Sequence, residues 1–202
     1  VILVTAQATL EAATSLMKEG AVDYLAKPVD PKRLAKTLAD AFESLDRGDF
    51  VTGHFRDVVV KGKKSKIKAE EPDVIFPGES EGPLIGGNLS LLVSLLGTSH
   101  DPDYSGHILF IEEVGESTYR VDRMLTQLRS AGKLDKIKGV ILGYFTNCDT
   151  KPDDPFYEFS VSLQEVFHDR LGDLNVPVVS GFPFGHEAEN ATLPIGVNAR
   201  LN

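Results

Sequence analysis

Residues 106–132 read GHILFIEEVGESTYRVDRMLTQLRSAG. The run ILFI at 108–111 is short and apolar at every position, which is typical of a strand buried on both faces of a parallel sheet. Val121, Leu125 and Leu128 then recur at helical spacing, and Gly132 supplies a residue that tolerates the left-handed conformation at a helix end. A buried strand followed by an amphipathic helix predicts an α/β fold.

The same alternation continues on both sides of this stretch. Apolar runs at 140–144 and 176–179 predict two more buried strands, and 74–76 predicts a short one. Helices are predicted over 88–96, capped by Asn88, and over 160–171. We expect residues 77–87 to form a glycine-rich connection and residues 191–201 to form two short strands.

Residues 1–46 carry a strand-helix-strand-helix pattern. VILVT at 1–5 and the run at 22–26 predict buried strands, 8–19 predicts a helix, and Asp30 or Pro31 opens a second helix. This is half of a doubly wound, flavodoxin-like α/β domain. Its open edge predicts pairing with a strand from residues 55–76 or from a second copy of the chain, which would give a homodimer.

Composition excludes several classes of partner. The 202 residues carry a net charge of -9, which argues against nucleic acid as the main partner. The sequence shows no apolar run long enough to span a membrane and no signal sequence.

Cys148 is the single cysteine, which excludes an internal disulfide and favours a reducing, cytoplasmic location. We expect no metal and no cofactor.

Residues 55–71 hold six Lys or Arg side chains. This stretch is either a basic patch for an anionic ligand or a solvated hairpin around Gly62, and the hairpin is the favoured interpretation. We place it in a connection over 47–81, between a first part at 1–46 and a second at 82–202.

Two adjacent acids, Glu112 and Glu113, follow the apolar run. Catalytic groups collect at the ends of strands in open α/β sheets. Neighbouring strand residues point to opposite faces, so at most one of the two can serve a given pocket. The other would face solvent or a helix N-terminus, and a purely structural role is open for both.

His186 lies in a loop, FPFGH at 182–186, just after a predicted strand. This position suits a general base, and a carboxylate on the second ring nitrogen would orient the imidazole. An ordinary loop histidine bonded to backbone is the open alternative.

Gly86, Gly87 and Asn88 precede a predicted helix, whose first amides could receive an anion or a substrate carboxylate. A tight turn with a helix cap explains the same residues.

Cys148 has no evident base beside it and is interpreted as a structural thiol. The sequence contains no Gly-x-Ser-x-Gly elbow that would identify a nucleophilic serine.

Residues 82–202 resemble the C-terminal domain of the LD-carboxypeptidase family of serine peptidases. The matching stretches are GPLIGGNLSLLVSLLGT (82–98), GHILFIEEVGESTYRVDRMLTQLRSAG (106–132), GVILGYF (139–145) and VPVVSGFPFGHEAENATLPIGVNARL (176–201). The resemblance implies a Ser-Glu-His triad that cuts murein-type L,D-peptide bonds, with Glu112 as its Glu and His186 as its base. It also implies Gly87, Asn88, Tyr119 and Arg120 as pocket residues. The family's Gly-Tyr-Ser-Asp nucleophile turn does not occur in this sequence.

Residues 1–46 resemble the second half of a response-regulator receiver domain, through VILVTA and GAVDYLAKPVDPKRL. The resemblance implies Thr5 as the switch hydroxyl, Tyr24 as the switch aromatic and Lys27 as the phosphoryl-contacting lysine. The receiver's acceptor Asp belongs to the half that these residues do not match. The chain therefore looks like an excised or recombined piece.

Three functions follow as hypotheses. The first is an LD-carboxypeptidase-like serine hydrolase that acts on murein-derived peptides and whose nucleophile is not located. The second is a catalytically inert scaffold or binding protein. The third is a phosphorelay receiver fragment without its acceptor.

Overall fold

The computed structural model describes residues 2–5, 23–26, 29–43, 48–69, 71–150 and 160–202. The chain divides into two units, Val1–Ser65 and Lys66–Asn202, and each is considered by itself. The boundary falls within the segment predicted as a connection. The helices and strands, in chain order, are β1 (Ile2–Thr5), β2 (Asp23–Ala26), α1 (Pro31–Glu43), α2 (Gly48–Phe55), a π-helical turn (Arg56–Val60), β3 (Val74–Phe76), β4 (Ser80–Asn88), α3 (Leu89–Ser94), β5 (Ile108–Val114), α4 (Thr118–Ser130), β6 (Gly139–Thr146), α5 (Leu163–Leu171), β7 (Val178–Val179) and β8 (Asn198–Leu201).

In the first unit, β1 and β2 form a parallel pair, from Ile2 opposite Asp23 to Thr5 opposite Ala26. Both predicted strands are confirmed, and the helix predicted over 8–19 lies outside the described residues. The predicted pairing of this edge with residues 55–76 is wrong in the described part of the chain, because β1 and β2 form a sheet of two strands and β3 belongs to another sheet, next to β7. The flavodoxin-like arrangement and the pairing with a second copy stay predictions.

The start of α1 agrees with the predicted cap. Asp30 Oδ1 accepts a hydrogen bond from the Lys32 amide at 3.2 Å, and Pro31 is the first helical residue. A capping acid accepts from a free amide of the helix start, and proline at the first position has no amide that would need a partner.

Residues 55–71 do not form the predicted hairpin. Helix α2 runs into the π-helical turn, so residues 58–60 are helical rather than extended. Helical spacing buries Val51 and Phe55 together, and Lys61 Nζ meets Asp57 Oδ1 at 2.8 Å one turn away. The lysines of this stretch are exposed, which agrees with a solvated segment.

The second unit is built on a six-stranded sheet in the order β3-β7-β6-β5-β4-β8. The four central strands are parallel, and β3 and β8 run antiparallel to their neighbours. Residues 108–111 form the buried centre of β5, as predicted.

The three helices that the structure describes in the second unit lie on one face of this sheet. Successive parallel strands are neighbours, and right-handed crossovers between them place every helix on the same side. The helices pack on Leu109, Ile111 and Leu142. The opposite face carries a smaller cluster: Leu84, Ile108, Phe110, Ile141, Phe184 and Leu201.

The expectation for residues 77–87 is wrong, because most of them belong to β4. The glycines permit close backbone approach within the sheet: a Cβ on Gly86 would lie 1.8 Å from the Phe110 carbonyl oxygen. Of the two strands predicted over 191–201, the structure forms β8 alone. The turn before it nevertheless bonds to β4, since Leu84 donates to the Val197 carbonyl at 3.0 Å.

Candidate active site

The two acids at the end of β5 point to opposite faces of the sheet. Glu112 follows the side of Ile108 and Phe110, which faces the smaller cluster. Glu113 follows the side of Leu109 and Ile111, which faces the helices. The alternation of a strand therefore sends the two carboxylates to different surroundings.

Glu113 is only 2% exposed and faces the start of α3. Its carboxylate accepts hydrogen bonds from Asn88 Nδ2 at 2.8 Å, the Ser90 amide at 2.8 Å and the Val114 amide at 2.9 Å. A negative group at a helix N-terminus accepts hydrogen bonds from the free amides and interacts favourably with the positive end of the helix dipole. Of the two adjacent acids, Glu113 is therefore the one that faces a helix N-terminus.

Glu112 meets His186, and we call these two residues the acid–base pair. Glu112 Oε2 lies 2.7 Å from His186 Nδ1, with the carboxylate side chain 12% exposed and the imidazole 52% exposed. A carboxylate only accepts, so Nδ1 carries a proton, and in the neutral tautomer with this proton Nε2 keeps its lone pair. This is the arrangement of a general base oriented by an acid.

The loop that carries His186 is attached to β6 through its backbone. Tyr144 donates to the Phe184 carbonyl at 2.8 Å, and Phe182 donates to the Leu142 carbonyl at 3.2 Å. A Cβ on Gly143 would lie 2.3 Å from the Phe184 oxygen, so β6 leaves room for the loop at that residue. The attachment brings a loop residue 74 positions away in sequence onto Glu112.

The buried ring of Phe184 anchors the same loop. It meets Phe110 edge to face, with ring centroids 5.9 Å apart, and only 3% of the residue is exposed. Gly185 follows with φ of +129°, and a Cβ there would lie 3.3 Å from Glu112 Cβ. Glycine at 185 therefore lets the chain turn close over β5 and present His186.

The residues on either side of His186 are held by side chains. Asn190 Nδ2 donates to the Gly185 carbonyl at 2.5 Å, and Thr146 Oγ1 donates to Glu187 Oε1 at 2.7 Å. We expect Thr146→Val to raise amide hydrogen exchange in residues 185–188 about fivefold, because one hydrogen bond that closes the loop is lost.

The matched control for this prediction is Thr98→Val. Thr98 Oγ1 donates to the Leu95 carbonyl at 2.7 Å in the turn after α3 and accepts from the His100 amide at 3.2 Å, so this variant also loses exposed threonine hydrogen bonds. Exchange in residues 185–188 should not change in the control. An equal response in both variants, measured by mass spectrometry, would show that Thr146 does not hold the loop.

Gly87 and Asn88 lie beside Glu112 in the sheet. Gly87 pairs with Ile111, and Asn88 pairs with Glu112. A Cβ on Gly87 would meet no atom of the described residues within 4 Å, so there is open space at this residue.

The amides at the start of α3 do not form the anion site considered from sequence. The Ser90 amide donates to Glu113, and the Leu91 amide donates to Asn88 Oδ1 at 3.2 Å. These amide groups are already satisfied by the protein's own side chains, and Asn88 is the helix cap that was predicted.

Tyr119 and Arg120 lie in the first turn of α4, immediately after β5. Arg120 donates to the Tyr119 hydroxyl and to Glu116 Oε2, both at 3.1 Å, and the Arg123 guanidinium lies 5.1 Å from the Tyr119 ring centroid. The hydrogen bond from Arg120 is the largest cause that lowers the pKa of Tyr119. No hydrogen bond joins this cluster to the acid–base pair within the described residues.

Two further histidines have side-chain partners, and the single cysteine is buried. His168 Nε2 lies 3.0 Å from Asp73 Oδ2, and His54 Nε2 lies 2.7 Å from Ser65 Oγ. Cys148 is buried, and burial raises the pKa of its thiol.

In the described ranges, no cluster of three or more His, Cys, Asp or Glu side chains is arranged to hold a metal. None of the described helices combines the length and apolar character that crossing a bilayer requires.

The structure says little about the three residues implied by the receiver resemblance. Thr5 and Tyr24 lie opposite their partners in β1 and β2, and only their backbone is described. Lys27 lies outside the described residues.

The family profile described as LD-carboxypeptidase C-terminal domain matches residues 81–201. The chain belongs to the LD-carboxypeptidase family. The murein tetrapeptide carboxypeptidase of Pseudomonas aeruginosa is 38% identical over 124 residues, which cover 60% of this chain and 38% of that protein. A Bacillus subtilis protein named probable murein peptide carboxypeptidase is 41% identical over 128 residues, covering 63% and 39%.

Solved structures agree with this family assignment. The crystal structure of muramoyltetrapeptide carboxypeptidase from Oxalobacter formigenes matches with a TM-score of 0.63 and 32% identity, over 94% of this chain and 60% of that one. The match extends into residues that precede position 82. The chain spans about two fifths of the length of the curated relatives named above.

Sequence reasoning missed the residues that support this candidate site. Thr146, Glu187 and Asn190 hold the loop around His186, and Glu113 holds Asn88. Thr146 ends a strand and the other two flank the His186 motif, but no spacing rule pairs positions 41 residues apart.

Proposed function

We propose that this chain supplies the Glu and His of a Ser-Glu-His triad in an LD-carboxypeptidase that hydrolyses L,D-peptide bonds of murein-type peptides. The observation that carries the proposal is the 2.7 Å contact between Glu112 and His186, placed where the parallel strands end. Relatives named as murein peptide carboxypeptidases supply the substrate class.

The pair has a defined chemical task under this proposal. His186 Nε2 takes the proton from a serine hydroxyl as its oxygen attacks the peptide carbonyl, and then gives that proton to the leaving amine. Water, activated by the same nitrogen, hydrolyses the acyl-serine and frees the enzyme. Glu112 holds the imidazole in the required tautomer and stabilises its cation. The serine itself is not assigned.

Gly87, Asn88, Tyr119 and Arg120 are proposed to line the substrate pocket. Gly87 and Asn88 are supported by their register beside the acid–base pair. Tyr119 and Arg120 are supported by their position in the turn that follows β5. The receiver-like and recombined character of residues 1–46 stays a separate prediction.

Hydrolysis and reagent labelling test the proposal together. The full chain is incubated with a murein-type L,D-tetrapeptide, and release of the terminal D-amino acid is followed by mass spectrometry. A fluorophosphonate reports an activated serine. We expect release of the amino acid, a single labelled serine, and loss of both signals in His186→Ala.

His168→Ala is the matched control, because His168 is also half exposed and also pairs with a carboxylate. It should leave both signals unchanged. If the unaltered chain neither hydrolyses nor labels, the inert scaffold becomes the correct assignment. If it does both and Glu112→Ala and His186→Ala change neither signal, the proposed role of the acid–base pair is wrong.

A further inference from the structure

Glu113 is a buried carboxylate that the proposed reaction does not use. Its three hydrogen-bond partners, Asn88 Nδ2, the Ser90 amide and the Val114 amide, all donate. An ionised carboxylate accepts and cannot donate, so this set of partners suits it. The contacts connect the end of β4, the start of α3 and the end of β5.

The side chain of Asn88 is almost fully used by this network. An asparagine amide has two N–H donors and an oxygen that accepts twice. The oxygen accepts from Ser90 Oγ at 2.7 Å and from the Leu91 amide at 3.2 Å, and one N–H donates to Glu113. Within the described residues, one N–H of Nδ2 is left.

We propose that Glu113 is a positioning residue that fixes the Asn88 amide, so that its second N–H donates to a carbonyl or carboxylate oxygen of the peptide substrate. The inference rests on the proposed function, under which Asn88 contacts the substrate. Asn88 pairs with Glu112 in the sheet, and Glu113 follows Glu112 in the same strand. One short strand segment therefore orients both the base and the substrate-binding amide.

The orientation of the amide depends on the charge of Glu113. The Leu91 amide requires an acceptor on one side of Asn88, and Glu113 requires a donor on the other. Asn88 Nδ2 and the Val114 amide share Oε1, and the Ser90 amide uses Oε2. Glutamine at 113 puts an NH2 group in place of one of these oxygens, so either the Ser90 amide or the other two donors lose their acceptor. In either arrangement the acceptor that faces Asn88 is no longer charged, so the Asn88 amide is held less firmly in its orientation.

The test measures the Asn88 side chain and peptide binding in Glu113→Gln. Deuterium exchange of the Asn88 side-chain amide, followed by NMR, should become about tenfold faster. The dissociation constant of a murein-type tetrapeptide, from NMR titration of the full chain, should rise about tenfold. In an Asn88→Ala background, Glu113→Gln should add no further loss of binding, because the two residues act through one contact.

Glu165→Gln is the matched control. Glu165 also accepts an amide at a helix N-terminus, from Ser162 at 2.7 Å, but it makes this contact at the start of α5. A purely structural role for Glu113 predicts equal effects of the two variants on peptide binding, and that result would overturn the proposal. Unchanged Asn88 exchange in Glu113→Gln would also overturn it.

Ser90→Ala carries the test if Glu113→Gln does not fold. It removes the Ser90 Oγ donor from Asn88 and keeps the Ser90 amide for Glu113, so a threefold rise in the dissociation constant is expected, on the order of one weak hydrogen bond. An unchanged constant would count against the positioning of Asn88. If the unaltered chain binds no tetrapeptide, the proposed function fails, and the exchange measurement still decides whether Glu113 fixes Asn88.

Discussion

Glu112→Gln is expected to lower turnover of a murein-type L,D-tetrapeptide by about a thousandfold or more. Glutamine keeps the size of the side chain but presents an N–H or a neutral oxygen to His186 Nδ1. An N–H there would force the imidazole into the tautomer with its proton on Nε2, which cannot accept a proton from serine. Loss of the carboxylate also removes the charge that stabilises the imidazolium. The turnover number, measured at saturating peptide, gives the effect.

Glu79→Gln is the control for this prediction. Glu79 Oε2 accepts from Arg200 at 2.7 Å in an exposed ion pair, so this variant also loses one charged contact. A second readout does not depend on turnover. The downfield proton on His186 Nδ1 should be visible by NMR in the unaltered chain and in Glu79→Gln, and absent in Glu112→Gln. Equal turnover and an unchanged proton signal in Glu112→Gln would contradict the pairing.

Gly86→Ala is expected to destabilise the second unit by about 4 kcal/mol or more. An added Cβ would lie 1.8 Å from the Phe110 carbonyl oxygen and 2.7 Å from its carbon. Backbone atoms of a central strand cannot move aside as the end of a flexible side chain can. The φ of +150° at this residue adds conformational strain. Urea denaturation gives the free energy of unfolding.

Gly87→Ala separates the steric overlap with Phe110 from the backbone strain of a positive φ. Gly87 has nearly the same φ, +154°, but a Cβ there would meet nothing within 4 Å. Only the strain of about 1–3 kcal/mol is therefore expected. Equal losses in the two variants would show that the contact with Phe110 is not what requires glycine at 86.

Much of the second unit could be predicted because its signals are local. The apolar run at 108–111 identified β5, and Val121, Leu125 and Leu128 identified the buried stripe of α4. Asn88 was recognisable as a cap because its residue type and its position before an apolar run suffice. These features depend on neighbours within a few residues.

The errors arose where distant contacts override local preference. Residues 80–88 contain three glycines and a proline, which disfavour a strand in isolation, yet β4 forms because β5 and β8 pair with it. Residues 58–60 are β-branched, yet they extend a helical segment whose Val51 and Phe55 are buried. In both places tertiary burial outweighs propensity.

The candidate site was predictable in its members but not in its supports. Glu112 stood out as a charge after an apolar strand, and His186 stood out in a loop after another strand. The opposite orientation of Glu112 and Glu113 followed from strand alternation. The Thr146–Glu187 and Asn88–Glu113 contacts could not be predicted, since they depend on the register of strands and on one loop conformation.

The backbone attachment of the His186 loop bears on how such a site diverges. The hydrogen bonds from Tyr144 to the Phe184 carbonyl and from Phe182 to the Leu142 carbonyl use groups that nearly every residue type possesses. The exposed position Ala188 can therefore be substituted, or randomised in a library, while Glu112 and His186 keep their distance from each other. Under the proposed function, such changes would alter the surface near His186 without altering the acid–base pair itself.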